Sequence, residues 1–186
     1  IVLYNHKDLV FNLLEKLQNL NIIIVDNGKN DEIINKLKSY KNISKIISKN
    51  KNLGYGKAIN LAFSYINSKF FLILNPDLEI SQASILNLLS VIKKYNSAGV
   101  APITTPDKDF YGIFPGNGKG IKRNPNQTKS AEMLNNSKID GPFSVDVAKG
   151  CVMLLSSEHF KKIGMFDEKY FLFWEEIDLC RKIRKN

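Results

Sequence analysis

The stretch Asn21-Ile-Ile-Ile-Val-Asp-Asn-Gly28 decides the fold. Its four consecutive β-branched residues predict a strand, and Asp26-Asn27-Gly28 closes it as a turn. A strand wetted on one face alternates apolar and polar residues, whereas this one is apolar throughout, as in a sheet covered on both faces. The pattern returns at Phe70-Phe-Leu-Ile-Leu-Asn-Pro-Asp77, an apolar run closed by a proline turn. Shorter strands are expected at 1–4, 43–47 and 98–101. Leu9, Val10, Leu13, Leu14, Leu17 and Leu20 recur at helical spacing, which predicts a helix over about 7–20. Further helices are expected over 30–40, 57–67 and 81–95. Strand and helix therefore alternate, which predicts an α/β fold with a mostly parallel central sheet and helices on both faces. Ligands of such sheets bind beyond the carboxyl ends of the strands, where Asp26, Asn27 and Asp77 stand.

Beyond this half the pattern changes. Residues 103–143 are rich in Gly, Pro, Asn and Lys with little periodicity, as expected of an irregular functional loop. Order returns with a strand around Cys151-Val-Met-Leu-Leu155, a helix over 158–163 ending at Gly164, the aromatic stretch Tyr170-Phe-Leu-Phe-Trp174 and a last helix. The 186 residues suit a single domain, read as a nucleotide-binding half (1–102), the loop (103–143) and an acceptor and catalytic half (144–186). The chain opens on an apolar strand and stops inside a helical pattern, so it is expected to be truncated at both ends.

Composition excludes several classes. No apolar run approaches the roughly 18 residues of a membrane span. Two cysteines, Cys151 and Cys180, make no disulfide scaffold and read as small buried apolar residues. His6 and His159 complete no zinc pattern. The net charge is +9, but 24 of the 27 cations are Lys, and specific nucleic-acid readers favour the Arg fork, so no nucleic-acid partner is expected. Against that background, residues 167–178 hold five acids and one Lys.

Each chemical candidate has a plain structural alternative. Asp26-Asn27 can meet a base or ribose, or simply make an Asx turn. Asn52-x-Gly54-Tyr55-Gly56 with Asn60 can bring backbone close to an anion at a helix start, or be a Gly-rich turn; it is neither a dinucleotide fingerprint nor a P-loop. Asp77 can hold Mg²⁺ or Mn²⁺ with help from substrate phosphates, or cap the next helix in competition with Ser81. Glu175, Glu176 and Asp178 can supply a general base, or complement a helix dipole. Tyr170, Phe171, Phe173 and Trp174 suit a core stripe, with sugar stacking by Trp174 as the sharper alternative.

The order of these signals is more specific than any one of them. Tyr4-Asn5, Val25-Asp26-Asn27, Asn52-x-Gly54-Tyr55-Gly56-x-x-x-Asn60, Leu74-Asn75-Pro76-Asp77, Lys149-Gly150-Cys151-x-Met153-Leu154, Phe166-Asp167-Glu168 and Trp174-Glu175-Glu176-x-Asp178-Leu179-Cys180 follow one another along nearly the whole chain. Together they resemble the family 2 glycosyltransferases of the GT-A fold, nearest to the bacterial rhamnosyltransferase-like branch. The resemblance implies that Tyr4, Asn5, Asp26 and Asn27 line the base and ribose of a nucleotide. It implies that Asn52, Gly54 and Asn60 shape the floor near the diphosphate, and that Gly150 lies near the reacting sugar. Asn75 and Asp77 match an Asp-x-Asp-type motif whose second carboxylate ligates a divalent metal, Mg²⁺ or Mn²⁺. Glu176 matches the catalytic base, a Glu in place of the usual Asp, with Glu175 and Asp178 as fallback candidates.

The activity so implied is inverting transfer of a sugar from a UDP- or dTDP-sugar donor to a glycan or lipid-linked acceptor in bacterial surface polysaccharide synthesis. The alternative is a non-catalytic or truncated binding module of the same fold. A cytoplasmic location is expected, with peripheral contact at the inner membrane through seven lysines between 36 and 57 (36, 38, 41, 45, 49, 51 and 57).

Overall fold

The computed structural model describes residues 1–5, 9–102, 142, 145 and 147–186. Of the expected irregular stretch only Pro142 and the flanks fall among these, and His6 lies outside them. In chain order the elements are β1 (Val2–Leu3), α1 (Leu9–Lys16), β2 (Ile22–Asp26), α2 (Asp31–Leu37), β3 (Ile43–Ser48), α3 (Tyr55–Phe63), β4 (Phe70–Leu74), α4 (Gln82–Lys94), β5 (Gly99–Val100), β6 (Val152–Ser156), α5 (Ser157–Lys162) and α6 (Glu175–Lys185).

Strands β1, β2 and β3 pair in parallel in that order, with Asp26 opposite Leu3 on one side and Ser48 on the other. The second group is β4-β6-β5, and there β6 runs antiparallel to both neighbours. That reversal was not read from the sequence, because an apolar strand looks the same in either direction. It matters for the site. Antiparallel pairing sets Val152 opposite Leu74, so the chain just before β6 lies beside the chain just after β4. The ladder extends one step further, Asn75 N–H donating to the Cys151 carbonyl at 2.9 Å.

The period of two along the strands sorts side chains onto two cores. Leu3, Ile24, Leu74, Val152 and Leu154 meet α1, α2 and α4 through Val10, Leu13, Leu14, Ile34, Leu37, Ile85, Leu88 and Ile92. Val2, Val25, Ile73, Met153 and Leu155 face the other way, onto Ala58, Ile59 and Phe63 of α3, Phe160 of α5, and Leu179 and Cys180 of α6. Phe63, Phe71 and Phe160 pack pairwise with ring centroids 4.8 to 5.1 Å apart. Helices thus cover both faces, as the unbroken apolar strands predicted.

Local signals set the helix ends. Ser81 caps α4, its hydroxyl accepting from Ser84 N–H at 3.0 Å. Helix α5 ends in a Schellman motif: Met165 N–H donates to Phe160 O, Gly164 N–H donates to Lys161 O, and Gly164 sits at φ +83. Helix α3 starts at Tyr55, two residues earlier than its spacing predicts. Gly54 adopts φ +80 there, and Tyr55 N–H donates to the Phe171 carbonyl at 3.0 Å. The shorter α1 continues as turns, Leu17 N–H to Leu14 O and Leu20 N–H to Leu17 O.

Candidate active site

Several of the residues singled out by sequence gather where β1, β2 and β4 end, but they do different work. Tyr4 and Asn5 follow β1 and are exposed. Asp26 is buried, and its carboxylate accepts from Gly28 N–H (3.1 Å), Lys29 N–H (3.3 Å), Asn30 N–H (3.4 Å), Asn30 Nδ2 (2.7 Å) and Ser48 Oγ (3.0 Å). This is the Asx-turn alternative, with the carboxylate already satisfied by its own turn and by Ser48 of β3.

Asn27 is also buried and is engaged on both ends of its amide. Its Oδ1 accepts from Leu53 N–H at 2.7 Å, and its Nδ2 donates to Asn52 Oδ1 at 2.8 Å and to Gly54 O at 3.3 Å. Asn27 therefore holds the 52–54 loop against the end of β2. Gly54 is obligatory there, because a Cβ would collide with the Phe171 carbonyl and its φ is left-handed. Asn60 is engaged with another segment. It is buried, donating to Phe166 O (2.9 Å) and Glu168 Oε1 (3.3 Å) and accepting from Phe166 N–H (3.1 Å). It ties α3 to the Phe166-Asp167-Glu168 turn, where Lys57 and Glu168 pair at 2.8 Å and with Asn60 pull the Glu168 carboxyl below its ordinary range.

Asp77 is exposed, and Ser81 has taken the cap that Asp77 competed for, so this carboxylate is not committed to the helix. Asn75, two residues before it, touches Tyr55, whose hydroxyl lies 2.7 Å from Asn75 Oδ1 and 2.9 Å from the Gly150 carbonyl. Gly150 in turn backs onto Glu176: a Cβ placed on it would lie 3.1 Å from Glu176 Cβ. Ala148 N–H donates to Cys180 Sγ at 3.5 Å, one turn along the same face of α6. Cys180 is buried and Cys151 half-buried, as expected of small apolar residues, and burial pushes the Cys180 thiol up to about 11.

Negative charge converges here. Burial raises the Tyr55 phenol far above its ordinary value, and Cys151, Glu175, Glu176 and Asp77 push the same way. Glu175 is only 5% exposed, and its Oε2 has no hydrogen-bond partner. Burial, then the neighbouring Glu176, raises its carboxyl above the ordinary range. Asp178 Oδ2 lies 2.9 Å from Lys182 Nζ, an ion pair out of line for a hydrogen bond, so of the three acids on α6 it is the one already neutralised.

The aromatic stretch before α6 is not core. Phe173 and Trp174 are 68% and 62% exposed, both at left-handed φ (66 and 73). The core is already filled by Phe160 and Phe166, and Tyr170, Phe171 and Leu172 are exposed as well. Tyr55 is the residue that reading the motifs left without a role. A lone Tyr between two glycines carries no signal of its partners, which come from β4 and from the approach to β6.

Among the described residues no three His, Cys, Asp or Glu side chains form a metal cage. Mg²⁺-type sites commonly take one or two protein carboxylates and complete their shell with substrate phosphates. An exposed, uncommitted Asp77 in an acidic surround fits that mode.

These motifs and this fold have known counterparts. The profile described as glycosyl transferase family 2 matches residues 1–151, and the chain belongs to that family. It is 27% identical, over all of its length and 60% of the relative's, to the low-salt glycan biosynthesis hexosyltransferase Agl10 of Haloferax volcanii. It is 26% identical to the N-acetylglucosaminyl-diphospho-decaprenol L-rhamnosyltransferase of Mycobacterium tuberculosis, covering 89% of this chain and 61% of that one. It is 26% identical to the rhamnosyltransferase WbbL of Escherichia coli, covering 98% of this chain and 75% of that one. The chain thus spans about three fifths of the first two relatives. The mannosyltransferase PcManGT of Pyrobaculum calidifontis, solved with GDP-Man and Mn²⁺, superposes with a TM-score of 0.66 at 12% identity over 96% of this chain and 48% of that one. GalNAc-T7, solved with UDP, GalNAc and Mn²⁺, gives 0.69 at 14% identity over 98% and 39%. The fold is GT-A.

Proposed function

We propose that the chain is the donor-binding and catalytic part of an inverting glycosyltransferase that moves a sugar from a nucleoside-diphosphate donor to a hydroxyl of a glycan or lipid-linked acceptor, in synthesis of a bacterial surface polysaccharide. The single observation that carries this reading is the contact line Asn75–Tyr55–Gly150–Glu176, which brings the uncommitted carboxylate after β4 and the first turn of α6 to one place.

In this reading Tyr4 and Asn5 offer exposed surface to the base and ribose, while Asp26 and Asn27 shape that surface from beneath. Asp77 would hold a divalent cation, which when bound neutralises charge on the departing diphosphate. Glu176 takes the proton of the acceptor hydroxyl as its oxygen bonds to the anomeric carbon. The bond from that carbon to the diphosphate oxygen breaks with its electron pair, on the opposite face. Most of the rate gain comes from positioning and from electrostatic stabilisation of the leaving group, with general-base action adding roughly 10²–10⁴-fold. Glu175 is buried beside Glu176, and burial and then that neighbour raise its carboxyl above the ordinary range.

Relatives whose names give hexosyl and rhamnosyl transfer, and neighbours solved with GDP-Man, UDP and Mn²⁺, support this choice of donor class and metal. Calorimetric titration with UDP-, dTDP- and GDP-sugars in Mn²⁺ tests it. Binding of at least one is expected, and binding of none by the intact enzyme overturns it.

No helix among the described residues is long and apolar enough to cross a membrane. Peripheral contact is the part of the reading that rests on the lysines. Lys36 pairs with Glu32, Lys57 with Glu168, Lys38 donates to Asn35 Oδ1 and Lys45 sits over Tyr65, which leaves exposed Lys41, Lys49 and Lys51 as the better candidates to face anionic lipid. Each would add about 1 kcal/mol at most. Co-sedimentation that ignores the anionic-lipid content of vesicles would rule this out.

A further inference from the structure

Tyr55 stands between the two halves of the candidate site. It is the first residue of α3, its N–H is taken by Phe171 O, and its ring packs against the core shared by α3, α5 and α6. Its hydroxyl lies 2.7 Å from Asn75 Oδ1 and 2.9 Å from Gly150 O. One hydroxyl hydrogen serves one acceptor at a time. Exchanging the O and N of the Asn75 amide satisfies both contacts, with Asn75 Nδ2 donating to Tyr55 and Tyr55 donating to Gly150. Asn75 Oδ1 is then left for another partner, two residues from Asp77.

We propose that Tyr55 is a positioning residue: its hydroxyl fixes the orientation of the Asn75 amide and the spacing between the Asn75-Pro76-Asp77 turn and the Gly150 backbone on which Glu176 packs. This rests on the roles given above to Asp77 and Glu176. The packing role of the ring is separable, because Phe keeps the ring and deletes only the bridge. Removing the hydroxyl leaves the Gly150 carbonyl and the Asn75 amide without this partner. Such a loss acts first on the relative placement of the two carboxylates. Burial keeps the phenol protonated, so it remains a donor throughout the neutral range.

The test uses the full-length enzyme with Tyr55→Phe, Asn75→Ala and the double variant. Donor turnover, Mn²⁺ affinity by calorimetry and thermal midpoint are read for each. Tyr55→Phe is expected to lower kcat about 10- to 100-fold, with donor KM within about threefold and the midpoint within a few degrees. Mn²⁺ affinity is expected to fall about threefold or more, and the double variant to be no worse than the weaker single, since both cut one bridge. A kcat and Mn²⁺ affinity within about twofold of wild type, or losses that multiply in the double variant, overturn the proposal. If Tyr55→Phe does not fold, Asn75→Ala alone is expected to show the same kcat loss, and full activity overturns the proposal. Wild-type turnover in Asp77→Ala and Glu176→Gln would instead remove the functional reading itself. Loss of turnover in those two beside an unaffected Tyr55→Phe would remove only the role of Tyr55.

Discussion

Gly150 and Glu176 approach closely: a Cβ on Gly150 would meet Glu176 Cβ at 3.1 Å and Cγ at 3.6 Å. The glycine is needed for close approach, since Gly150 is not among the residues at positive φ. An alanine here forces the Glu176 side chain or the start of α6 to move by a few tenths of an ångström. Gly150→Ala is therefore expected to lower kcat about tenfold with little change in donor KM and a loss of only a few degrees in thermal midpoint. Steady-state kinetics beside a melting curve checks this. A variant as active as wild type would mean that the placement of Glu176 is not tight.

Gly54 fails for a different reason and should fail differently. It combines φ +80 with a Cβ position occupied by the Phe171 carbonyl, the same carbonyl that accepts from Tyr55 N–H. Gly54→Ala is expected to destabilise by about 3 kcal/mol, visible as a lower denaturation midpoint. Donor affinity measured well below that midpoint should also drop, because the same loop is held by Asn27.

Glu175 makes a pH prediction. Its folded-state value lies above its ordinary 4.5, so between 4.5 and the raised value the folded protein holds a proton that the unfolded chain has released. Stability from this group is fully present below 4.5 and is lost as pH rises through the folded value. Glu175→Gln, which removes the titration, is expected to raise the thermal midpoint at pH 7–8 relative to wild type, by a margin that shrinks toward pH 4. A margin that grows on acidification would show that the carboxylate is stabilised in its charged form.

The architecture was legible where hydrophobic pattern decides it. Unbroken apolar strands at 22–25 and 70–74 announced two covered faces, and Leu3 and Val2, or Ile73 and Leu74, duly point into opposite cores. The direction of β6 was not legible, and it is what sets Gly150 beside Asn75. Motif spacing singled out Asp77 and Glu176, and beside them Asp26 and Asn27 as lining for a base and ribose and Asn60 as floor near a diphosphate. The structure engages those three in holding a turn, a loop and a helix, because a buried polar side chain needs internal partners before it can serve a ligand. Trp174 and Phe173 misled in the other direction, since a run of aromatics carries no record that the core is already full.

The most direct measurement is single-turnover transfer by full-length Glu176→Gln at saturating donor and Mn²⁺. The account predicts a rate lower by roughly 10²–10⁴-fold with donor affinity within about threefold of wild type. A rate equal to wild type would contradict it and take the base from Glu176.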